Sequence, residues 1–425
     1  MRVLLSEGSG LTSRQTATRL HALGHTVGVL SSDPIALTRF TRTVRSWHRV
    51  PEFGLSPFAW LDAAIDIVRR HRYDLLFPTQ EQVTVLSWAV GTTKLDGVRT
   101  IVPPFESLRA VQDKISARST LESLGIAQPP STVLRDLDQL RSWNEFPVFI
   151  KTPIGTATSG VRRVDDRDDL AALIRDWSMA TALGDERDGV LAQAPADGPL
   201  AMLQGVFDRG RLIAFNANLR TREGARGGAS HKRSLVQPDA RTAVETLGRE
   251  LSWHGALSAD VILTSDGAVV IDVNPRLVEP GNASRAGVDL VDAMLDAAFG
   301  RQASPRPTGR ADVKTHQLLL AILGAAQHGG RRGIVDELLG AVRHTGEYAD
   351  SSEELTPIAH DWRAALPCVA AAAATLVKPT TWEWFSSGSV ASYAISPEGW
   401  RIICSRARPA DPDLPIAGPE TPPSD

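Results

Sequence analysis

Short apolar runs alternate with amphipathic stretches at the start of the chain. Residues 2 to 5 form a compact apolar run, and Gly8-Ser9-Gly10 then leads into helical spacing over Thr12 to Leu23 that ends at Gly24. Val27 to Leu30 predicts a second strand, Leu61 to Arg70 a helix, and Leu75-Leu76-Phe77 before Pro78-Thr79 a third strand. This alternation predicts a parallel α/β layer ending near residue 105. Afterwards the pattern changes. Asp113 to Gly125 is helical, and Pro147 to Thr152 is a compact strand. Further strands are expected at Gly189 to Gln193, Ala201 to Phe207, Leu212 to Asn218, Gly255 to Leu263 and Ala268 to Val273, with a helix over Val288 to Phe299. That is an α+β region with antiparallel pairing. Beyond Pro305 helices are expected over Val313 to Gln327, Ile334 to Val342 and Ala359 to Val377. The expected units are therefore 1–105, 106–188, 189–305 and 306–407, followed by a disordered tail over 408–425 that is rich in Pro, Asp and Ala.

Composition fits a chain of this kind. The 425 residues are 42% hydrophobic and 22% charged, which excludes wholesale disorder and a disulfide scaffold. With 46 Lys+Arg against 49 Asp+Glu the net charge is −3, so neither nucleic acid nor an anionic membrane is an expected partner. Cys368 and Cys404 carry no metal-binding spacing and fit a reducing compartment. The apolar run at Val3 to Leu5 is too short for a signal peptide, and Ala364 to Val377 contains Pro367 and is too short to span a bilayer. A cytoplasmic location is expected.

The most informative chemistry lies in a predicted hairpin. Ser258 to Thr264 and Ala268 to Val273 flank Ser265-Asp266-Gly267, read as a three-residue loop. Pairing Thr264 with Ala268 sets Asp260 opposite Asp272 and puts Asn274 on the same face, with Val261, Leu263, Val269, Ile271 and Val273 on the other. Like charges across a sheet need an offset, and two carboxylates with an amide oxygen suit a hard divalent cation shared with substrate phosphates. A solvated acidic face is the alternative.

A second cluster begins at Lys151, at the end of a strand, and continues through Gly155-Thr156-Ala157-Thr158-Ser159-Gly160-Val161. Its glycines let backbone N–H groups approach a phosphate while Lys151 supplies a charge. The GxxxxG spacing is not a Walker A loop, because Val161 and Arg162 occupy the Lys and Ser/Thr positions. The segment Arg220 to Arg233 is basic, rich in glycine and without period, so it is expected to be a mobile loop in which Arg226 or Lys232 grips a substrate carboxylate or phosphate, with His231 beside them. Glu7 and Glu81 follow strands of the parallel layer, where ligands usually bind; each is read either as receiving a substrate amine or as forming a turn or cap. Glu279 and Asn282 are further pocket candidates.

In chain order, Lys114 after Asp113, Lys151, the Gly155 to Val161 loop, Asp260 and Asp272-Val273-Asn274-Pro275-Arg276 resemble the ATP-grasp superfamily over roughly residues 1 to 305. The last motif is similar to that of the carboxylate-amine ligase and carbamoyl-phosphate-synthetase-like branches, bacterial L-amino-acid ligases included. The resemblance implies an α/β ATP-grasp architecture: an N-terminal Rossmann-like parallel-sheet domain, two α+β subdomains holding ATP, and a helical C-terminal region that closes the pocket or forms a homodimer contact. It implies ATP held by Lys114, Lys151 and the loop residues Thr158, Ser159 and Gly160, with Gln193 and Ala194 at the adenine-contacting hinge. Mg²⁺, as two ions with Mn²⁺ as a substitute, would be bound by Asp260, Asp272 and Asn274, and Arg276 would steady the transferred phosphoryl group. Two features depart from the pattern: the hinge offers no Glu, and Asp272 stands where Glu is more usual. The implied reaction joins a carboxylic acid to an amine, amino acids among them, through an acyl phosphate with release of ADP and phosphate. A biotin-carboxylase-like or carbamoyl-phosphate-forming activity and a nonhydrolysing ATP-binding regulator are the alternatives.

Overall fold

The computed structural model describes residues 1–156, 159–176, 189–301 and 305–407. Strands β1 (Arg2–Leu5), β2 (Thr26–Ser31), β3 (Val44–Arg49) and β4 (Leu75–Phe77) form a parallel sheet in the order β3-β2-β1-β4. Its inner strands read as unbroken apolar runs because both faces are covered. Leu4, Leu30 and Leu76 pack with side chains of the helices Pro57–His71 and Val83–Val90, whereas Val3, Leu5, Val27 and Phe77 pack with those of Leu11–Ala22 and Leu290–Ala298. The sequence pattern does not predict β3, an edge strand bearing Arg45, His48 and Arg49. The first of these clusters is completed from the far end of the described chain: Ile395, Trp400 and Ile403 join Leu4 and Trp60, and Ser396 Oγ donates to the Gly54 carbonyl.

Strands β5 (Ser131–Leu134), β6 (Val148–Lys151), β7 (Val161–Val164) and β8 (Val190–Gln193) form a small antiparallel sheet in the order β5-β8-β6-β7. The third sheet is the largest. It contains β9 (Leu200–Asp208), β10 (Arg211–Glu223), β11 (Ala229–Leu235), β12 (Gly255–Thr264), β13 (Gly267–Asn274), β14 (Lys314–His316) and β15 (Ser351–Glu353), ordered β13-β12-β9-β10-β11-β14-β15. All pairs are antiparallel except β14 with β15.

The two-residue side-chain period divides this sheet into two chemistries. One cross-strand row is Val273, Ala259, Leu203 and Ala217, all buried with Trp253, Phe207 and Val244 beneath the helix Pro238–Glu250. Each large apolar side chain buried there contributes about 1.5–3 kcal/mol. Gly248 lets that helix settle, since a Cβ would lie 2.1 Å from the Phe207 ring. The adjacent row is Asp272, Asp260, Met202 and Asn218, and it faces the opposite way.

Three expectations are corrected. The hairpin turn is tighter than its sequence suggests: Thr264 pairs with Gly267, whose φ is +127°, leaving Ser265 and Asp266 as the loop. A bulge then inserts Ile271, so Val261 opposes Val270 while Asp260 still opposes Asp272. Consequently Val270, not Val269 or Ile271, joins Val261 and Val273 in the core. Arg220 to Arg233 is not a loop but the arms of the β10–β11 hairpin around a short turn at Ala225–Gly227. Lys232 is buried between Glu279 and Glu354, and the half-exposed Arg222 pairs with buried Glu337, partners too distant in sequence to be read locally. Finally, Val313 leads into strand β14 rather than a helix, its carbonyl accepting from Asn282 Nδ2; the helix runs Leu318–Arg343 and is interrupted at Gly330. Among the described residues no helix is long and apolar enough to cross a membrane. The expected tail, 408–425, lies outside the described residues.

Candidate active site

The polar row of the large sheet forms one wall of a cavity of about 1180 Å³. Asp260 and Asp272 face each other across β12 and β13, and Asn274 Nδ2 lies 3.4 Å from Asp260 Oδ2. Burial and the neighbouring Asp272 push the Asp260 carboxyl up to about 7, against Arg276, Asn274 and Lys151, which favour the ionised form. Two half-buried carboxylates facing each other form a site that a divalent cation fits. Among the described residues no group of three or more His, Cys, Asp or Glu gathers for a metal. A cation here would thus have Asp260, Asp272 and Asn274 Oδ1 as its protein ligands, the remaining oxygens coming from water or a phosphate, as suits Mg²⁺.

Two lysines face this wall. Lys151, at the end of β6, donates to the Ile271 carbonyl at 2.8 Å, so the bulge that preserves the acidic pair also anchors the amine. Burial lowers its pKa to about 8, with Lys114 adding to the effect and Asp272 and Asp260 opposing it. Lys114 starts a helix capped by Asp113, whose carboxylate accepts the N–H groups of Ile115 and Ser116; its Nζ reaches the Gly155 carbonyl at 3.0 Å and lies 3.9 Å from Asp272. Gly155 and Thr156 line the cavity, and a Cβ at Gly155 would lie 2.2 Å from the Ser159 carbonyl oxygen, so only glycine permits that turn.

Arg276 emerges just after β13 and is only 8% exposed. Its Nε donates to Glu81 Oε1 at 3.0 Å, and that carboxylate also accepts from Gln112 Nε2 and Thr156 Oγ1. Burial works to raise the Glu81 pKa, but Arg276 and these donors hold it below its ordinary value. Burial likewise works against the Arg276 charge, and Glu81 more than restores it. Glu81 therefore positions Arg276.

The other expected residues are placed as follows. Glu7 is buried and accepts from the N–H groups of Ser9 and Gly10 and from Ser13 Oγ, closing the turn after β1. Burial, outweighing those bonds, raises its pKa. Lys232 lies fully buried between Glu279 and Glu354, away from the cavity wall, and His231 packs against His316 and Tyr348. Glu279 and Arg226 do line the cavity. Ser159 and Gly160 shape the loop behind Gly155, while Gln193 is buried in β8 and the Ala194 N–H donates to the Pro130 carbonyl; none of these four reaches the cavity wall. Asn282 holds β14 from behind, and Thr158 lies outside the described residues.

Residues invisible to sequence reasoning complete the wall. Gln80 and Asn218 line the cavity, and buried Gln80 Oε1 and Asn218 Nδ2 have no hydrogen-bond partner among the described residues. Such groups are normally satisfied, so they are available to a ligand. Asn218 could have been found only by knowing that β9 separates β12 from β10, which puts it in the Asp260 row.

Comparison with known proteins gives the same architecture. No protein-family model matches the chain. It is 27% identical over 123 residues to the carbamoyl phosphate synthase large chain of Rubrobacter xylanophilus, a match covering 27% of this chain and 12% of that one. The matches span between 12% and 22% of the length of the curated relatives. Among solved structures, the biotin carboxylase domain of Hydrogenobacter thermophilus 2-oxoglutarate carboxylase, in complex with MgADP, ADP and bicarbonate, superimposes with a TM-score of 0.59 at 16% identity, covering 74% of this chain and 73% of that one. The L-amino acid ligase of Bacillus licheniformis gives a TM-score of 0.56 at 16% identity, over 72% and 78%. These neighbours are ATP-grasp proteins, and the chain has the ATP-grasp fold.

Proposed function

We propose that this ATP-grasp chain is an ATP- and Mg²⁺-dependent ligase that joins a carboxylic acid to an amine through an acyl phosphate. One observation carries the reading: a half-buried acidic pair, two lysines and a carboxylate-held arginine converge on one cavity. Phosphoryl transfer asks a protein mainly to position reactants and to neutralise charge on the moving group. Lys114 and Lys151 would hold phosphate oxygens of ATP, and Asp260, Asp272 and Asn274 would hold Mg²⁺. Bound there, the ion would offset charge on the phosphates. Arg276, kept charged by Glu81, would meet the transferred phosphoryl oxygens.

An oxygen of the acid attacks the γ-phosphorus, the bond from that phosphorus to the bridging oxygen breaks, and ADP leaves with the electron pair. The amine nitrogen then attacks the acyl carbon, phosphate departs, and the nitrogen loses a proton. No side-chain nucleophile is needed. Carboxylation of bicarbonate type fits less well, since bicarbonate would leave much of the space beside the nucleotide unused. The test is ADP release with MgATP, pooled carboxylic acids and hydroxylamine, which intercepts an acyl phosphate as a hydroxamate of measurable mass. ADP without hydroxamate, or no ADP from any acid, counts against the ligase.

A further inference from the structure

The cavity has two chemically different ends. Pockets for one small molecule run roughly 300–1,000 Å³, so about 1180 Å³ leaves room for a second molecule beside a nucleotide. At one end the charged groups are Asp260, Asp272 and Lys151 on strands, Lys114 at a helix start and Arg276 just after β13. The far end is walled by three C-terminal helices: Leu318–Arg343 supplies Leu320 and Leu323, Ala365–Val377 supplies Leu366 and Ala370, and Trp382–Tyr393 supplies Trp384 and Phe385. Leu366 is 46% and Trp384 60% exposed, large apolar surfaces left open in a concave wall. Such surface marks a binding region. The β10–β11 hairpin joins the two ends. Asn218 lies in the acidic row, Arg220 follows along the cavity, and the tip reaches Ala225, which packs with Leu320. Gly224 and Gly324 make that junction close, because a Cβ on Gly324 would lie 2.8 Å from the Gly224 backbone. At the tip Arg226 has φ +52°, a left-handed backbone kept only where the surroundings enforce it, and its guanidinium lies 6.0 Å from the Trp382 ring centroid. The hairpin is thus fixed against the chamber rather than free to swing.

We propose that this helical chamber receives the body of the acid substrate, and that the acid is large and apolar, aromatic or branched aliphatic, with its carboxylate directed to the cationic end. The inference rests on the ligase reading for the word substrate, but the chamber itself is tested by binding.

Binding of 3-phenylpropanoate, L-phenylalanine and L-leucine would be compared with acetate, glycine and succinate by equilibrium dialysis in the presence of Mg²⁺ and a nonhydrolysable ATP analogue. ADP release with hydroxylamine would be followed in parallel with MgATP. At least one apolar acid is expected to bind roughly 10- to 200-fold more tightly than the small acids. Ala370→Trp, on an exposed helix position, should fill the chamber and abolish that preference, and Trp384→Ala should weaken apolar acids several-fold. Equal or tighter binding of the small acids, or a preference untouched by both variants, overturns the chamber. Selective binding with no ADP release upholds the chamber and sinks the ligase. ADP release driven only by small acids does the reverse.

Discussion

Replacing Glu81 separates what its charge does from what its hydrogen bonds do. The carboxylate accepts Arg276 Nε and Thr156 Oγ1 on Oε1 and Gln112 Nε2 on Oε2, with Arg276 and Glu81 side chains 8% and 5% exposed. In Glu81→Gln the amide oxygen can keep Arg276 and Thr156. The new N–H₂ would oppose the Gln112 donor, but Gln112 Oε1 has no partner among the described residues, so turning that amide restores the third bond. Only the charge is then lost. Breaking a buried pair outright costs about 3–5 kcal/mol, and that is the expectation for Glu81→Ala, which orphans three donors. With its bonds kept, Glu81→Gln should cost about 2 kcal/mol, and ADP release should fall far more in Glu81→Ala, where Arg276 loses its anchor, than in Glu81→Gln, where the bond remains. Urea unfolding followed by tryptophan fluorescence measures the two losses. The pH dependence adds a check. Because the Glu81 pKa is lowered in the fold, its stabilisation is present above the ordinary carboxylate value near 4.5 and is lost as pH falls below it. Glu81→Gln should flatten that acid limb. Wild-type midpoints for both variants, or equal losses for Gln and Ala, would refute the argument.

Three further outcomes follow from the same geometry. Asp272→Asn should cut ADP release by about 100-fold or more, and chelating Mg²⁺ should abolish it; unchanged turnover would remove the hairpin from the chemistry. Burial lowers His231 to about 3 and His316 to about 4 from 6.5, so both contribute stability above pH 6.5 that is lost as pH falls toward 4. Urea midpoints should fall over that window, less so in His231→Phe, and a flat profile would contradict it. Lys232→Met should destabilise by about 3–5 kcal/mol by leaving two inward carboxylates without their cation. Acidification from pH 7 to 5 should recover part of the loss, since burial already raises the Glu354 pKa.

The parallel layer was legible because its inner strands are buried on both faces and its glycines and prolines punctuate them clearly. The acidic hairpin was legible for another reason, a short turn signal between two apolar runs whose pairing sets two carboxylates opposite each other. Its loop length was misread by one residue and the Ile271 bulge by another, and the two errors cancel at Asp260. What sequence pattern could not supply was pairing at a distance. Lys232 looked like a free cation because Glu279 and Glu354 are far along the chain, and Arg220 to Arg233 looked irregular because its alternation is of partners rather than of hydrophobicity. The role of Glu81 was hidden likewise, since Arg276 reaches it only after three sheets have assembled.

The cluster that Trp400, Ile395 and Ile403 complete around Leu4 and Trp60 also orders events during synthesis. β1 to β4 are made early and the helices Pro57–His71 and Val83–Val90 soon cover one face of their sheet, yet that cluster is incomplete until the ribosome has passed Ile403. At about 5–20 residues per second, tens of seconds separate the two. During that interval Leu4, Leu30 and Trp60 form an unfinished surface on the nascent chain. A release of the polypeptide before that point would leave a nucleotide cavity largely formed beside a core cluster that still lacks three of its apolar side chains, a species suited to chaperone capture.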